Sequence, residues 1–395
     1  MLQIDRSPPI PQDRNALLFL GFRPFFLLAG LSSVGLIAIW LPLFYGQWQL
    51  NPHFTPVHWH GHEMLFGYAT AVIAGFLLTA VRNWTGFPMP SGAKLGVLVA
   101  IWLAGRLLVS VDLGQPRWLT ACVDGAFLPA VMVALAPALI RARKLRNLAF
   151  LVILSALTAA NLLMHQQALG EGNTAALGLH SGLSLIIVVI IVMGGRVIPF
   201  FTRNPLPGME PRVWPLIETA AVGLPVLLLA SETLGLPSLW LALLALAAGV
   251  VQLVRLSGWY DHRIWSRPII WVLHVAYAWI GIGFLLKGLS TLALVAPTAP
   301  THAFTVGGIG LMTLGMMGRV ALGHTGRELI LPRPTVWAIG LLALITPLRV
   351  AAALLPDAAP ALLGISVLGW VIGFGLFVYC YAPILKRPRL DGRPG

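Results

Sequence analysis

Residues 62–81 read HEMLFGYATAVIAGFLLTAV, with no charge between Glu63 and Arg82. At 1.5 Å of rise per residue such a run spans about 30 Å, the thickness of a bilayer's hydrocarbon core. Backbone amides in hydrocarbon must bond within their own segment or within a closed barrel, and the run does not alternate as a barrel strand would. It is therefore a membrane helix, and it sets the pattern for the whole chain.

Reading outward, similar runs recur between clusters of Pro, Gly and charge. They predict helices at 17–41, 62–81, 95–112, 119–140, 147–169, 179–200, 214–231, 236–255, 269–291, 301–321, 335–355 and 361–384. The expected fold class is all-α, a polytopic bundle of about twelve transmembrane helices. Composition agrees: 58% of the 395 residues are hydrophobic, 10% are charged, and the mean hydropathy is +0.85. Expected boundaries are a tail at 1–16, a single membrane domain at 17–385 and a basic tail at 386–395.

The net charge of +13 does not describe a nucleic-acid footprint, because the cations lie in the breaks between apolar runs. Of the 26 Lys and Arg, only Arg106, Arg117, Lys287 and Arg349 are assigned to the side of the breaks after odd-numbered helices. The remainder lie in the tails and the other breaks, so both termini are expected in the cytoplasm. Cys122 and Cys380 lie in separate apolar runs without paired spacing, which argues against a disulfide framework, thiolate-bound zinc and c-type haem attachment. The first apolar stretch exceeds a signal-peptide core and is expected to be retained.

This topology gives each of the ten histidines a depth. His53, His58, His60, His62, His165, His180 and His302 fall toward the outer face, while His262, His274 and His324 lie toward the inner one. Ionisable groups inside a membrane usually face a cavity or a ligand, so the outer histidines of helices 2, 5, 6 and 10 are candidates for a metal or haem site. His53 and His262 read as interfacial residues. In an α-helix Glu63 shares the face of His60, where it could fix an imidazole tautomer or pass protons, while His58 and His62 share another face. Imidazoles suit haem iron and copper, and the spacing of His58 and His62 leaves zinc open. Helix 10 adds closely spaced glycines, with Met312 and Met316 one turn apart. At the inner ends Arg196, Arg319 and Arg327 either fix orientation or bind anions.

Three stretches, WHGHEMLFGYATAVIAGFLLTAVRNWTG, GGRVIPFFTRN and HAFTVGGIGLMTLGMMGRVALGHTGREL, resemble the NnrS family of bacterial membrane proteins. The resemblance runs over nearly the whole chain. It implies a haem- and copper-containing inner-membrane protein of the nitric oxide response, often accompanying denitrification. The metal ligands it implies are His60, His62, His165, His180, His274, His302 and His324. Glu63 is implied as a catalytic residue, and Arg196, Arg319, Arg327 and Tyr277 as cofactor-binding residues. Implied partners are the lipid bilayer, nitric oxide or a related nitrogen oxide, and an electron donor such as quinol or a cytochrome; nucleic acid is not expected. A weaker likeness links helix 2 to the second helix of haem–copper oxidases, where a His precedes a Met by four residues, as His60 precedes Met64. The alternative function is a secondary transporter of a metal, haem or small solute, although no six-plus-six repeat is evident.

Overall fold

The computed structural model describes residues 15–48, 53–143 and 145–393. Most of the expected tail at 1–16 lies outside that range, as does the end of the tail at 386–395. The described residues are helical, with no strands among them.

Twelve helices among them are long and apolar enough to cross a membrane. They are α1 (Phe22–Phe44), α2 (Pro56–Thr85), α3 (Ala93–Ser110), α4 (Arg117–Arg141), α5 (Asn147–Ala168) and α6 (Ala175–Arg203). The second half supplies α7 (Pro215–Thr233), α8 (Ser238–Ser257), α9 (Pro268–Thr291), α10 (Thr298–His324), α11 (Arg333–Ala351) and α12 (Pro356–Lys386). Each coincides with one helix read from the apolar runs. The protein is a multi-pass membrane protein.

The chain forms two compact units. One contains the described residues up to Gly182, with Met317–Ile330 and the chain from Phe374; the other contains Leu183–Met316 and Leu331–Gly373. In the first unit Arg23 is fully buried near the start of α1. Its Nη1 donates to the carbonyls of Leu385, at 2.9 Å, and Arg387, at 2.7 Å, so a cation closes the C-terminal end of α12.

Three local departures from α geometry shape the bundle. Glu63–Ala69 within α2 and Ala303–Gly310 within α10 are π-helical, a form that gathers at functional positions. α4 is interrupted by a turn at Ala126. Pro129 has no N–H to offer the Gly125 carbonyl and its ring crowds it, which accounts for the break one turn earlier.

These departures expose a repeat in fours. Aligning His62 with His302 brings Gly67 onto Gly307, Gly75 onto Gly315, and Thr85-Gly86 onto Thr325-Gly326. The π segment follows the histidine directly in both helices. Gly86 and Gly326 both hold positive φ, 76° and 70°, the conformation that favours glycine. A Cβ on Gly75 would stand 2.9 Å from Phe25 of α1, and one on Gly315 2.7 Å from Val272 of α9. α1 and α9 both open on Arg-Pro, at 23–24 and 267–268, and α4 and α12 both carry Ala-Pro near their ends, at 136–137 and 382–383. Helices α1–α4 and α9–α12 thus share a set of matching residues in the same order.

Close approach without Cβ atoms also joins α5 to α6 in the first unit. A Cβ on Gly178 would stand 2.4 Å from the Ala160 carbonyl oxygen and 2.9 Å from Met164 Cγ. Gly178→Ala gains about 1 kcal/mol in helix propensity but must separate two backbones. The overpacking cost of about 1–3 kcal/mol outweighs that gain. A lower midpoint of thermal unfolding in detergent is expected, and an unchanged or raised midpoint would contradict this packing.

Candidate metal centre

α2 and α4 begin, and α3 and α5 end, at the same end of the first unit, and four of their residues meet there. His62 lies nearly two turns into α2, Asp124 two turns into α4, and Asn161 and His165 within the last two turns of α5. All four are buried. His62 Nε2 is 3.1 Å from Asp124 Oδ2 and 2.8 Å from Asn161 Oδ1. His165 Nε2 is 2.9 Å from the same Asp124 oxygen, and Asn161 Nδ2 donates to it at 2.8 Å. One carboxylate oxygen therefore gathers two imidazoles and an amide.

Glu63 joins this network through its sequence neighbour: its Oε1 lies 3.1 Å from His62 Nδ1. Its own N–H still reaches the Trp59 carbonyl four residues back, so the α register holds up to Glu63 and the π turn follows it. His60 instead stacks its ring on Trp40, with centroids 4.3 Å apart and an interplanar angle of 14°.

Arg106 from α3 closes the cluster, with Nη1 on Glu63 Oε1 and Nη2 on Asp124 Oδ1. Gly67 leaves room for it, since a Cβ there would stand 2.7 Å from Arg106 Nη1. Two carboxyl groups thus share one guanidinium in a low-dielectric site, where a bound cation can offset excess negative charge. Glu63 Oε2 is buried without a hydrogen-bond partner among the described residues.

His53, in the segment before α2, covers the cluster with its Nε2 3.0 Å from His165 Nδ1. Burial, reinforced by His165, His62 and Arg117 and opposed by Asp124, pushes the His53 imidazole down to about 4. A neutral ring at ordinary pH has one donor and one acceptor, as this imidazole–imidazole contact requires. Sequence reading assigns His53 to the interface, whereas it is buried against the cluster.

One ligand atom each from His62, Asp124 and His165 lies within 4.8 Å of the others, an arrangement that could hold a metal ion. Two imidazoles and a carboxylate suit divalent iron, copper or zinc. Asp124, Asn161 and Arg106 are absent from the candidates drawn from sequence. The only sign of Asp124 there is its place as a lone acid inside an apolar run, which marks an intramembrane functional group.

The remaining candidates lie elsewhere. In the first unit, His180 is exposed at the start of α6, Arg319 is buried in α10, and Arg327 follows that helix. His324 packs its ring on Phe22, with centroids 5.6 Å apart. In the second unit, Arg196 is partly buried in α6. His274 Nδ1 faces the Ile270 carbonyl at 3.2 Å, and its Nε2 faces that of Trp259 at 3.3 Å. Tyr277 accepts from Arg255 Nη1 at 2.8 Å and donates to Gln252 Oε1 at 2.5 Å. Arg255 also pairs with Glu218 through two nitrogens, which makes this a neutral, hydrogen-bonded network. His302 bonds to Arg349, as described below.

A twelve-span helical protein with charged and imidazole side chains buried together near one end is a membrane protein built around a polar centre able to hold a metal. The chain belongs to the NnrS family: the family model described as NnrS protein matches residues 16–389. No curated protein matches the chain.

Proposed function

We propose that this protein serves the nitric oxide response in a bacterial inner membrane, with both termini cytoplasmic, and holds a redox-active metal at His62, Asp124 and His165. The observation that carries the reading is the buried convergence of those three ligand atoms, with Asp124 also held by Arg106. A bound transition metal would supply a centre able to bind and exchange electrons with nitric oxide, which is small, apolar and concentrated by the bilayer. Copper, one of the two cofactors the family resemblance implies, accepts this imidazole and carboxylate set.

The protein's own groups prepare the site. Asn161 and Arg106 hold the Asp124 carboxylate from two sides, leaving its orientation little freedom. His53 fixes the His165 tautomer. The second oxygen of Glu63 is placed to accept a proton during conversion of a nitrogen oxide. Haem has less support, because His274 and His302 have both ring nitrogens occupied. His60, His180 and His324 remain the candidates for iron, and Arg319 and Arg327, near His324 at the end of α10, are the candidates for the propionates of a haem held there. A quinol or cytochrome donor completes the reading.

Metal analysis of purified protein tests it. Near-stoichiometric copper or iron is expected in the wild type, with at least about a tenfold loss in His62→Ala and in His165→Ala. Metal-free wild-type protein from metal-replete cells, or full metal in both variants, would refute the centre. Loss of nitric oxide tolerance in the same variants is the expected cellular outcome.

A further inference from the structure

The two matching four-helix stretches treat the arginine near the end of their third helix differently. In the first, Arg106 near the end of α3 reaches back to the start of α2 and meets two carboxylates. In the second, Arg349 near the end of α11 reaches back to the start of α10. Its Nη2 lies 2.8 Å from His302 Nε2. Ala303 follows His302 where Glu63 follows His62, and aligning Pro137 with Pro383 puts Trp370 in the place of Asp124. Both acids are gone, yet the arginine and the histidine remain.

His302 does not offset the charge. Its Nδ1 is 2.8 Å from the Thr298 carbonyl, which accepts, so Nδ1 carries the proton and Nε2 is the lone pair that receives Arg349. The imidazole is neutral and its tautomer fixed. Among the described residues no carboxylate lies within ion-pair distance of Arg349, and Glu232 is paired with Lys287 at 2.7 Å. The surroundings are apolar: Ala299, Ala303 and Val350 form a cluster against which Trp279, Leu286 and Ala353 pack. A half-buried guanidinium beside such a wall, with no counter-charge among the described residues, favours an anion that joins it.

We propose that Arg349, held by His302, binds a small planar oxoanion of the nitrite, nitrate or carboxylate type at this end of the second unit. A guanidinium edge presents two parallel N–H donors, matching two oxygens of such an anion. His302 occupies one Nη2 proton and so orients the fork. In this role His302 acts through Arg349 instead of ligating a metal, since a metal cation at Nε2 would lie against the guanidinium. The inference does not depend on the metal centre of the first unit.

Isothermal titration of the full-length protein in detergent, with sodium nitrite and sodium acetate as probes and sodium chloride as the spherical control, tests the proposal. Saturable binding of nitrite or acetate is expected, with chloride weaker. Arg349→Gln should weaken it by at least about tenfold, while Lys287→Gln leaves it unchanged. Arg349→Lys keeps the charge but loses the fork, and is expected to bind measurably yet more weakly than the wild type. It keeps the question decidable if Arg349→Gln fails to fold. Absence of saturable binding in the wild type would overturn the site, as would equal affinity in the wild type and Arg349→Lys. Heat that appears only with added phosphatidylglycerol vesicles would overturn it in favour of a lipid headgroup.

Discussion

Asp124→Ala is expected to loosen the packing of α2, α3, α4 and α5 where they meet in the first unit, and to abolish the metal binding proposed for this cluster. The carboxylate serves Arg106, His62, His165 and Asn161 at once. Its loss leaves a largely buried guanidinium half-paired and deprives two imidazoles of their shared acceptor. Removing one partner of a buried ion pair costs about 3–5 kcal/mol, because the other charge remains without compensation. Leucine is not a remedy, since it would fill the space and still strand Arg106. Asp124→Asn separates the two roles. It keeps an oxygen for hydrogen bonding but not the charge, so it should retain more of the fold than the alanine variant while still losing metal. Equal metal content in Asp124→Asn and wild type would show that the cluster is a structural network only.

The topology was legible because hydrocarbon leaves a sequence little freedom: apolar runs of spanning length must be helices, and all twelve appear where the runs fall. The centre was half legible. His62 and His165 stand out as imidazoles at equal depth on separate helices, and spacing can assign depth. Rotation about the helix axis is another matter. An α-period places Glu63 on the face of His60, whereas its carboxylate turns to His62, and residue spacing does not carry a side-chain rotamer. Asp124 was hidden by isolation, one acid in a run otherwise read for apolarity, and it becomes meaningful only when Arg106 is seen across from it. The four-helix repeat escaped for a related reason. Lipid accepts any apolar side chain, so the two stretches match only where a turn, a close helix approach or a buried charge requires a particular residue. The matching positions are accordingly His62 and His302, Gly75 and Gly315, Gly86 and Gly326, and Arg106 and Arg349.

That contrast makes Arg106 the residue whose replacement separates charge balance from geometry. Arg106→Gln leaves Glu63 and Asp124 as two buried carboxyl groups with only the His62 imidazole between them, since Arg106 is the only described guanidinium touching either. Destabilisation of about 3–5 kcal/mol is expected from the stranded charges, read as a fall in the midpoint of thermal unfolding in detergent. Adding Glu63→Gln should recover much of that loss, because one carboxylate is then removed along with the cation. Glu63→Gln alone should be mild, since Arg106 keeps Asp124. The coupling between the two substitutions, measured as a double-mutant cycle, is therefore expected to be large and favourable. Additive effects would mean that the arginine acts through packing on Trp102, whose ring lies 5.8 Å from its guanidinium carbon, and not through charge. Metal supplies the independent check. A bound divalent cation can take over part of the neutralising role of Arg106, so the Arg106→Gln variant should gain more thermal stability on metal addition than the wild type does.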